Sequence, residues 1–385
     1  MKLPKKVTLI HPFTPQAAGV VERSVATYHS QPHAKALQQL VANNANLQGE
    51  IAYLTPKRRS YNFKFGNIGY QFYPVTRTLN GDHKKWKKQW SKACLKGCER
   101  AIPDVTIINM SGHSSPFSYM LAKIILAQNK QYIAMLGGQH YTDTPENRIY
   151  YKKAHHILVH TQLQKKQMLQ LPMFKDCDIR VFPLGVDTQE FQPKQNKTET
   201  HPNLLYVGRI VEWKRVHLAI KALHELVIHG FDNAKLTIIG PIFSELYYNE
   251  LKKMVSDLKL EEHIKFIGHL EHNKLPKHFQ NANLFLLPSD KETFGMVMIE
   301  AMACGTPVAG INCPGGPKDV ISHNLDGILA TPETYAQSVL EYFSNNTQRT
   351  AIEQAARTKV MQHYSLQATY KVLEQSVNEA LKHVV

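Results

Sequence analysis

Short β-branched or aliphatic runs alternate with longer helical patterns along the whole chain, and this alternation predicts parallel βαβ units. In the first half, strands are expected at residues 7–10, 49–54, 105–109, 131–136, 156–160 and 179–183. A second series is expected at 203–207, 235–239, 264–267, 284–287, 307–310 and 327–329. Between the two series, Gly185-Val186-Asp187 runs to Phe191-Gln192-Pro193, and the polar stretch 194–201 follows. That segment reads as a linker. The expected architecture is α/β, with two Rossmann-like lobes facing a cleft. Residues 1–192 form the first lobe and 200–357 the second, while 358–385 cross back to the first as a closing helical segment. Ligand loops in open α/β sheets follow the carboxyl ends of strands, and each of the first four strands of the second series ends near Gly, Pro or Ser.

A length of 385 residues and 43% hydrophobic composition fit two packed domains. The apolar runs are too short to cross a bilayer. The basic start, with Lys2, Lys5 and Lys6, imitates a secretory leader, but His11 and Pro12 cut its apolar stretch after Ile10, so a first strand is expected there. Five scattered cysteines fit a reducing cytoplasm. Charge changes the picture further. The net charge of +15 falls wholly in residues 1–190, with 26 Lys and Arg against 11 Asp and Glu, since residues 191–385 hold 20 of each. A basic half implies an anionic partner: a membrane surface, a charged glycan or nucleic acid.

The strongest chemical signal follows the run Leu284-Phe285-Leu286-Leu287-Pro288-Ser289. There Glu292-Thr293-Phe294-Gly295-Met296-Val297 leads into Glu300-Ala301-Met302-Ala303-Cys304-Gly305-Thr306-Pro307. A strand ends, Gly295 allows close backbone approach, and a helix is expected from about Met296 to Cys304. Free amides at a helix start, with the helix dipole behind them, bind phosphate. Glu292 precedes that helix and Glu300 lies about two turns on. One carboxylate can meet a sugar hydroxyl while the other reaches a ribose. A hydrolase with paired carboxylates would leave Cys304-Gly305-Thr306-Pro307 unexplained. The second signal is Gly208-Arg209, with Lys214 five residues after the arginine. Both cations are expected exposed, to stabilise a departing nucleoside diphosphate in place of a metal.

Taken together, these segments resemble the family-four retaining glycosyltransferases of GT-B fold. The ordered series comprises Pro183-Leu184-Gly185-Val186-Asp187, Val207-Gly208-Arg209 with Lys214, Ile239-Gly240 and Phe266-Ile267-Gly268-His269-Leu270. It continues through the Glu292/Glu300 segment, Gly315-Gly316-Pro317-Lys318-Asp319-Val320 and Asp326-Gly327. The resemblance implies that Arg209 and Lys214 hold the donor diphosphate, that Glu292 faces the donor sugar and that Glu300 contacts the ribose. It also implies that Phe294, Gly295, Met296 and Val297 cradle sugar and phosphate, and that Gly268, His269 and Leu270 read the base. In the first half, His140 of Leu136-Gly137-Gly138-Gln139-His140 matches a histidine near the reacting sugar. Gly19 lies in the first loop, where paired glycines are usual but Ala18-Gly19 stands here. Arg215 occupies a position where glycine is common, and Asp319 one where glutamate is usual.

The implied activity is transfer of a UDP- or GDP-linked sugar, with retention, to a surface-glycan or lipid-linked acceptor. No metal or other cofactor is expected, and location is cytoplasmic or peripheral on the inner face of the membrane. Two other classes stay open: a nucleotide-sugar epimerase of the same fold, and a non-catalytic polyanion-binding protein. Nucleic acid is not an expected partner, because no aromatic-rich binding motif is visible. Asp176-Cys177-Asp178 imitates a metal-binding acid pair, and His155, His156 and His160 a ligand cluster; both read as structural. Residues 82–100, taken as one helix, place Trp86, Trp90, Ala93, Cys94 and Gly97 on one stripe and most of Lys84, Lys85, Lys87, Lys88, Lys92 and Lys96 opposite. That helix either packs on the first sheet or lies on a membrane surface.

Overall fold

The computed structural model describes residues 3–28, 31–78, 89–109, 115–138, 142–194, 201–313 and 315–382. The chain divides into two compact units, residues 1–184 with 366–385, and residues 185–365.

In the first unit, strands β1 (Lys5–His11), β2 (Leu47–Thr55), β3 (Tyr61–Phe65), β4 (Ile68–Pro74), β5 (Val105–Asn109), β6 (Gln131–Leu136), β7 (Ile157–Val159) and β8 (Ile179–Val181) form one sheet. Their order is β3-β4-β2-β1-β5-β6-β7-β8, and all neighbours are parallel except β3 and β4. The β3–β4 hairpin was not expected. Its signal was present in the alternation Tyr61-Asn62-Phe63-Lys64-Phe65 and the turn at Gly66-Asn67. A reading tuned to aliphatic runs passes over it. Phe63 stacks on Tyr70 and Tyr61 on Phe72, at ring distances of 5.1 and 4.6 Å.

The loop after β1 is tied to β2 and β3 through Glu22, which is buried. Tyr61 and Thr55 donate to its carboxylate, and Lys57 lies 3.1 Å away. Burial alone would raise its pKa, but the hydrogen bonds from Tyr61, Lys57 and Thr55 outweigh it and hold the carboxyl below its ordinary value.

The 82–100 helix is shorter than expected. It spans Lys92–Arg100, with the Ser91 hydroxyl accepting from the Cys94 amide at 3.1 Å as N-cap. Trp90 instead pairs with Arg77 as a β-bridge and packs edge-on against Phe117 at 5.6 Å. Cys94 and Cys98 are buried in the same core. The described part of the stripe therefore packs inward. Lys84, Lys85, Trp86, Lys87 and Lys88 lie outside the described residues.

In the second unit the strands are β9 (Asn203–Val207), β10 (Lys235–Ile239), β11 (Ile264–Gly268), β12 (Leu284–Leu287), β13 (Val308–Ile311) and β14 (Gly327–Ala330). They form a parallel sheet ordered β11-β10-β9-β12-β13-β14. This order reverses direction between β9 and β12, which makes the carboxyl ends of those two strands the expected ligand crevice. The strands β12 and β13 are buried along their whole length, so β12 reads as an unbroken Leu-Phe-Leu-Leu.

The return to the first unit starts at Leu366, not near residue 358. The helix Asn346–His363 stays with the second unit, where it buries Ile352, Ala356 and Val360. The helix Leu366–Lys382 then buries Tyr370, Leu373, Val377 and Ala380 in the core of the first.

Candidate active site

The two signals in the second half of the sequence meet at the switch point, one on the loop after β9 and the other on the loop after β12. Three contacts join the loops. The Asp290 amide donates to the Trp213 carbonyl at 3.0 Å, Arg215 Nε lies 2.5 Å from Asp290 Oδ1, and Lys214 Nζ pairs with Glu292 Oε1. Arg215 sits at φ +49°, the left-handed region that glycine favours. Its ion pair to Asp290 helps hold a residue whose side chain would otherwise disfavour that backbone.

Arg209 is exposed, as expected. Its guanidinium lies 5.2 Å from the Trp213 ring centroid and 5.3 Å from that of Phe243, so two aromatic faces steady a solvent-facing cation. Lys214 departs from expectation. Its side chain is only 11% exposed and its charge is already matched by Glu292, which is 12% exposed. Trp213 lies beside this ammonium too, at 4.5 Å.

Close backbone packing shapes the site, and glycine permits it at Gly240 and Gly315, among other points. A Cβ on Gly240 would come 1.8 Å from the Gly208 carbonyl, and one on Gly315 would come 1.6 Å from the Glu292 carbonyl. The Gly316 amide donates to that same Glu292 carbonyl at 3.2 Å. The loop after β13 thus buttresses the loop that carries Glu292. Gly295, at φ +82°, caps the helix Met296–Ala303. Gly295 brings no side chain to this helix start and the first turn carries no acid, so Phe294, Gly295, Met296 and Val297 present a positive dipole end.

Glu300 points from that helix and is 5% exposed; its Oε1 accepts from His272 Nε2 at 2.9 Å. Gly268 takes φ +78° at the end of β11, and His269 is exposed beside half-buried Leu270. Trp213, Phe243 and His272 were not assigned roles from the sequence. Trp213 could have been suspected from its place between the two cations, while Phe243 and His272 carry no sequence signal.

In the first unit, Gly19 ends a 3-10 turn, Pro15–Ala18, at φ +75°, and a Cβ there would meet no atom within 4 Å. His140 lies outside the described residues. His160 Nδ1 lies 3.0 Å from the Phe182 carbonyl, and burial, with Arg180 nearby, pushes His156 down to about 3. The side chains of His155 and His156 lie against each other just before β7, which begins at Ile157. Asp178 is taken by Arg180 at 2.9 Å. Among the described residues, no group of three or more His, Cys, Asp or Glu side chains is arranged to hold a metal ion. Among them, too, no helix is long and apolar enough to cross a membrane.

Residues 187–359 match the family described as glycosyl transferases group 1. The chain is 27% identical over 200 residues to a GDP-mannose-dependent alpha-(1-6)-phosphatidylinositol monomannoside mannosyltransferase of Mycobacterium tuberculosis, covering 47% of this chain and 51% of that one. It is 31% identical over 206 residues to the amylovoran biosynthesis glycosyltransferase AmsK of Erwinia amylovora, covering 51% and 49%. The chain thus spans about half the length of the curated relatives it matches. In three dimensions it is similar to Anabaena HepE, solved in complex with UDP, with a TM-score of 0.71 at 15% identity over 97% of this chain and 100% of that one. The fold is GT-B.

Proposed function

We propose, from the match of residues 187–359 to the glycosyl transferases group 1 family, that the protein transfers a sugar from a UDP- or GDP-linked donor, with retention of configuration, to a surface-glycan or lipid-linked acceptor. The observation that carries this reading is the convergence at the β9/β12 switch point. An exposed arginine, a buried Lys214–Glu292 pair and a glycine-capped helix start come together there. In this reading the diphosphate sits against the amides of Met296 and Val297 and against Arg209 and Lys214. Lys214 bridges Glu292 and the leaving phosphate, so the carboxylate that faces the sugar also orients the cation. Fixed charges and amides of this kind are already aligned when negative charge develops on the leaving group. Glu300 takes the ribose, and Gly268, His269 and Leu270 take the base.

The test is incubation with a panel of UDP- and GDP-sugars, with and without glycan acceptors. Donor consumption that depends on acceptor supports transfer. A new nucleotide sugar formed without acceptor would identify an epimerase, and no binding or consumption of any donor would overturn the reading. Activity is expected to survive excess chelator, since side-chain cations and amides do the work of a divalent ion. Loss of activity that manganese or magnesium restores would contradict that.

We assign the excess positive charge of the first half to an anionic membrane surface, which attracts each nearby basic residue by about 1 kcal/mol. Binding to anionic vesicles is expected to fall steeply with salt and on replacing Lys84, Lys85, Lys87 and Lys88 by glutamine. A protein that ignores such vesicles at low salt would leave a soluble anionic acceptor as the account of this charge.

A further inference from the structure

We propose that His272 is a positioning residue for the donor ribose, holding the Glu300 carboxylate through one oxygen so that the other is presented to the ribose hydroxyls. The proposal rests on the donor-site reading above. Glu300 lies in mid-helix with its side chain only 7% exposed, and a carboxylate so enclosed needs a fixed partner. Among the described residues, the one side chain that supplies a hydrogen bond to it is His272, at 2.9 Å. Oε2 has no such partner among them.

His272 is itself held. Its ring packs against Phe191 at 5.3 Å, and Phe191 is buried against Phe279. Arg357 donates to the Phe191 carbonyl at 2.9 Å, which fixes that residue from its other side. The carboxylate therefore does not have to be ordered when the ligand arrives, and ordering is one of the costs of binding.

Chain connectivity gives this contact a second consequence. His272 begins the 3-10 turn His272–Lys274, two residues after Leu270, which the donor reading places at the base. One short segment then contacts the base directly and sets the ribose acid through Glu300. A His272 that merely plugged the space beside the Met296–Ala303 helix would affect every nucleotide alike, whatever its sugar hydroxyls.

Calorimetric titration of the full chain with UDP, GDP and their 2′-deoxy and 3′-deoxy forms separates these roles. The wild-type protein is expected to prefer a ribonucleotide over at least one deoxy form by about tenfold or more, the value of one hydrogen bond to a charged group. His272→Ala should bring that preference to within about twofold, while His272→Gln, which can still donate to Glu300, should keep most of it. Arg209→Ala should weaken all forms together and leave the preference intact. An unchanged preference in His272→Ala, or an equal loss of affinity for ribo and deoxy forms, would overturn the proposal. Thermal melting of both His272 variants establishes that they are folded. If the wild-type chain binds neither UDP nor GDP, the donor-site reading falls and this proposal with it.

Discussion

Replacing Lys214 with alanine is expected to lower the melting temperature of the protein by on the order of 10 °C and to abolish transfer. The reason is the pairing of Lys214 with Glu292, with both side chains close to nine-tenths buried. Removing one partner of a buried pair leaves the other charge without compensation, at a cost of about 3–5 kcal/mol. For a unit of this size each kcal/mol shifts the midpoint by roughly 2–4 °C. Calorimetric melting beside a transfer assay checks both effects. The double variant Lys214→Ala, Glu292→Gln should recover much of the stability and none of the activity, because it removes the stranded charge without restoring a cation at the phosphate. Arg209→Ala provides the contrast. Its guanidinium is exposed, so stability should change by less than about 1 kcal/mol while diphosphate affinity falls. If Lys214→Ala melts like the wild type, the pair is not the buried contact described here.

The second large effect is expected at Gly315. Alanine there would place a Cβ 1.6 Å from the Glu292 carbonyl, at a backbone φ of +113° that only glycine adopts freely. Neither the backbone it meets nor the short helix Gly316–Val320 can yield without moving the Glu292 loop. Donor binding should become undetectable by calorimetry, and stability should fall by more than about 3 kcal/mol, the range of severe core defects. Gly69→Ala is the matched control, because a Cβ at Gly69 would meet only the Gly49 carbonyl, at an ordinary 3.8 Å. A Gly315→Ala variant that binds nucleotide normally would show that the loop after β13 does not shape the site.

Much of this was legible in the sequence for a physical reason. Strands buried on both faces must be continuously apolar, and the runs at β12 and β13 show it. A helix entered through glycine, with one glutamate in the loop before it and another eight residues on, displays its chemistry in local spacing. Local spacing also placed Arg209, Glu292, Gly295 and Glu300 on the loops and the helix where they stand. The β3–β4 hairpin was legible too, through its period-two alternation and Gly-Asn turn, although aromatic residues took the place of the aliphatic ones that mark the other strands.

What the tertiary structure decided is which of these groups touch. Lys214 and Glu292 are 78 residues apart, and no local rule joins them; their pairing follows from the reversal of strand order between β9 and β12. That contact turned an expected exposed cation into a buried one. His272 and Glu300 likewise meet only because β11 and the helix after β12 bring their loops to the same end of the sheet. Nor could spacing show why Gly315 must be glycine, since the carbonyl it approaches belongs to a loop on another strand. Sequence set the residues and their local conformations, while strand order in the folded sheet set their partners and therefore their charge environment.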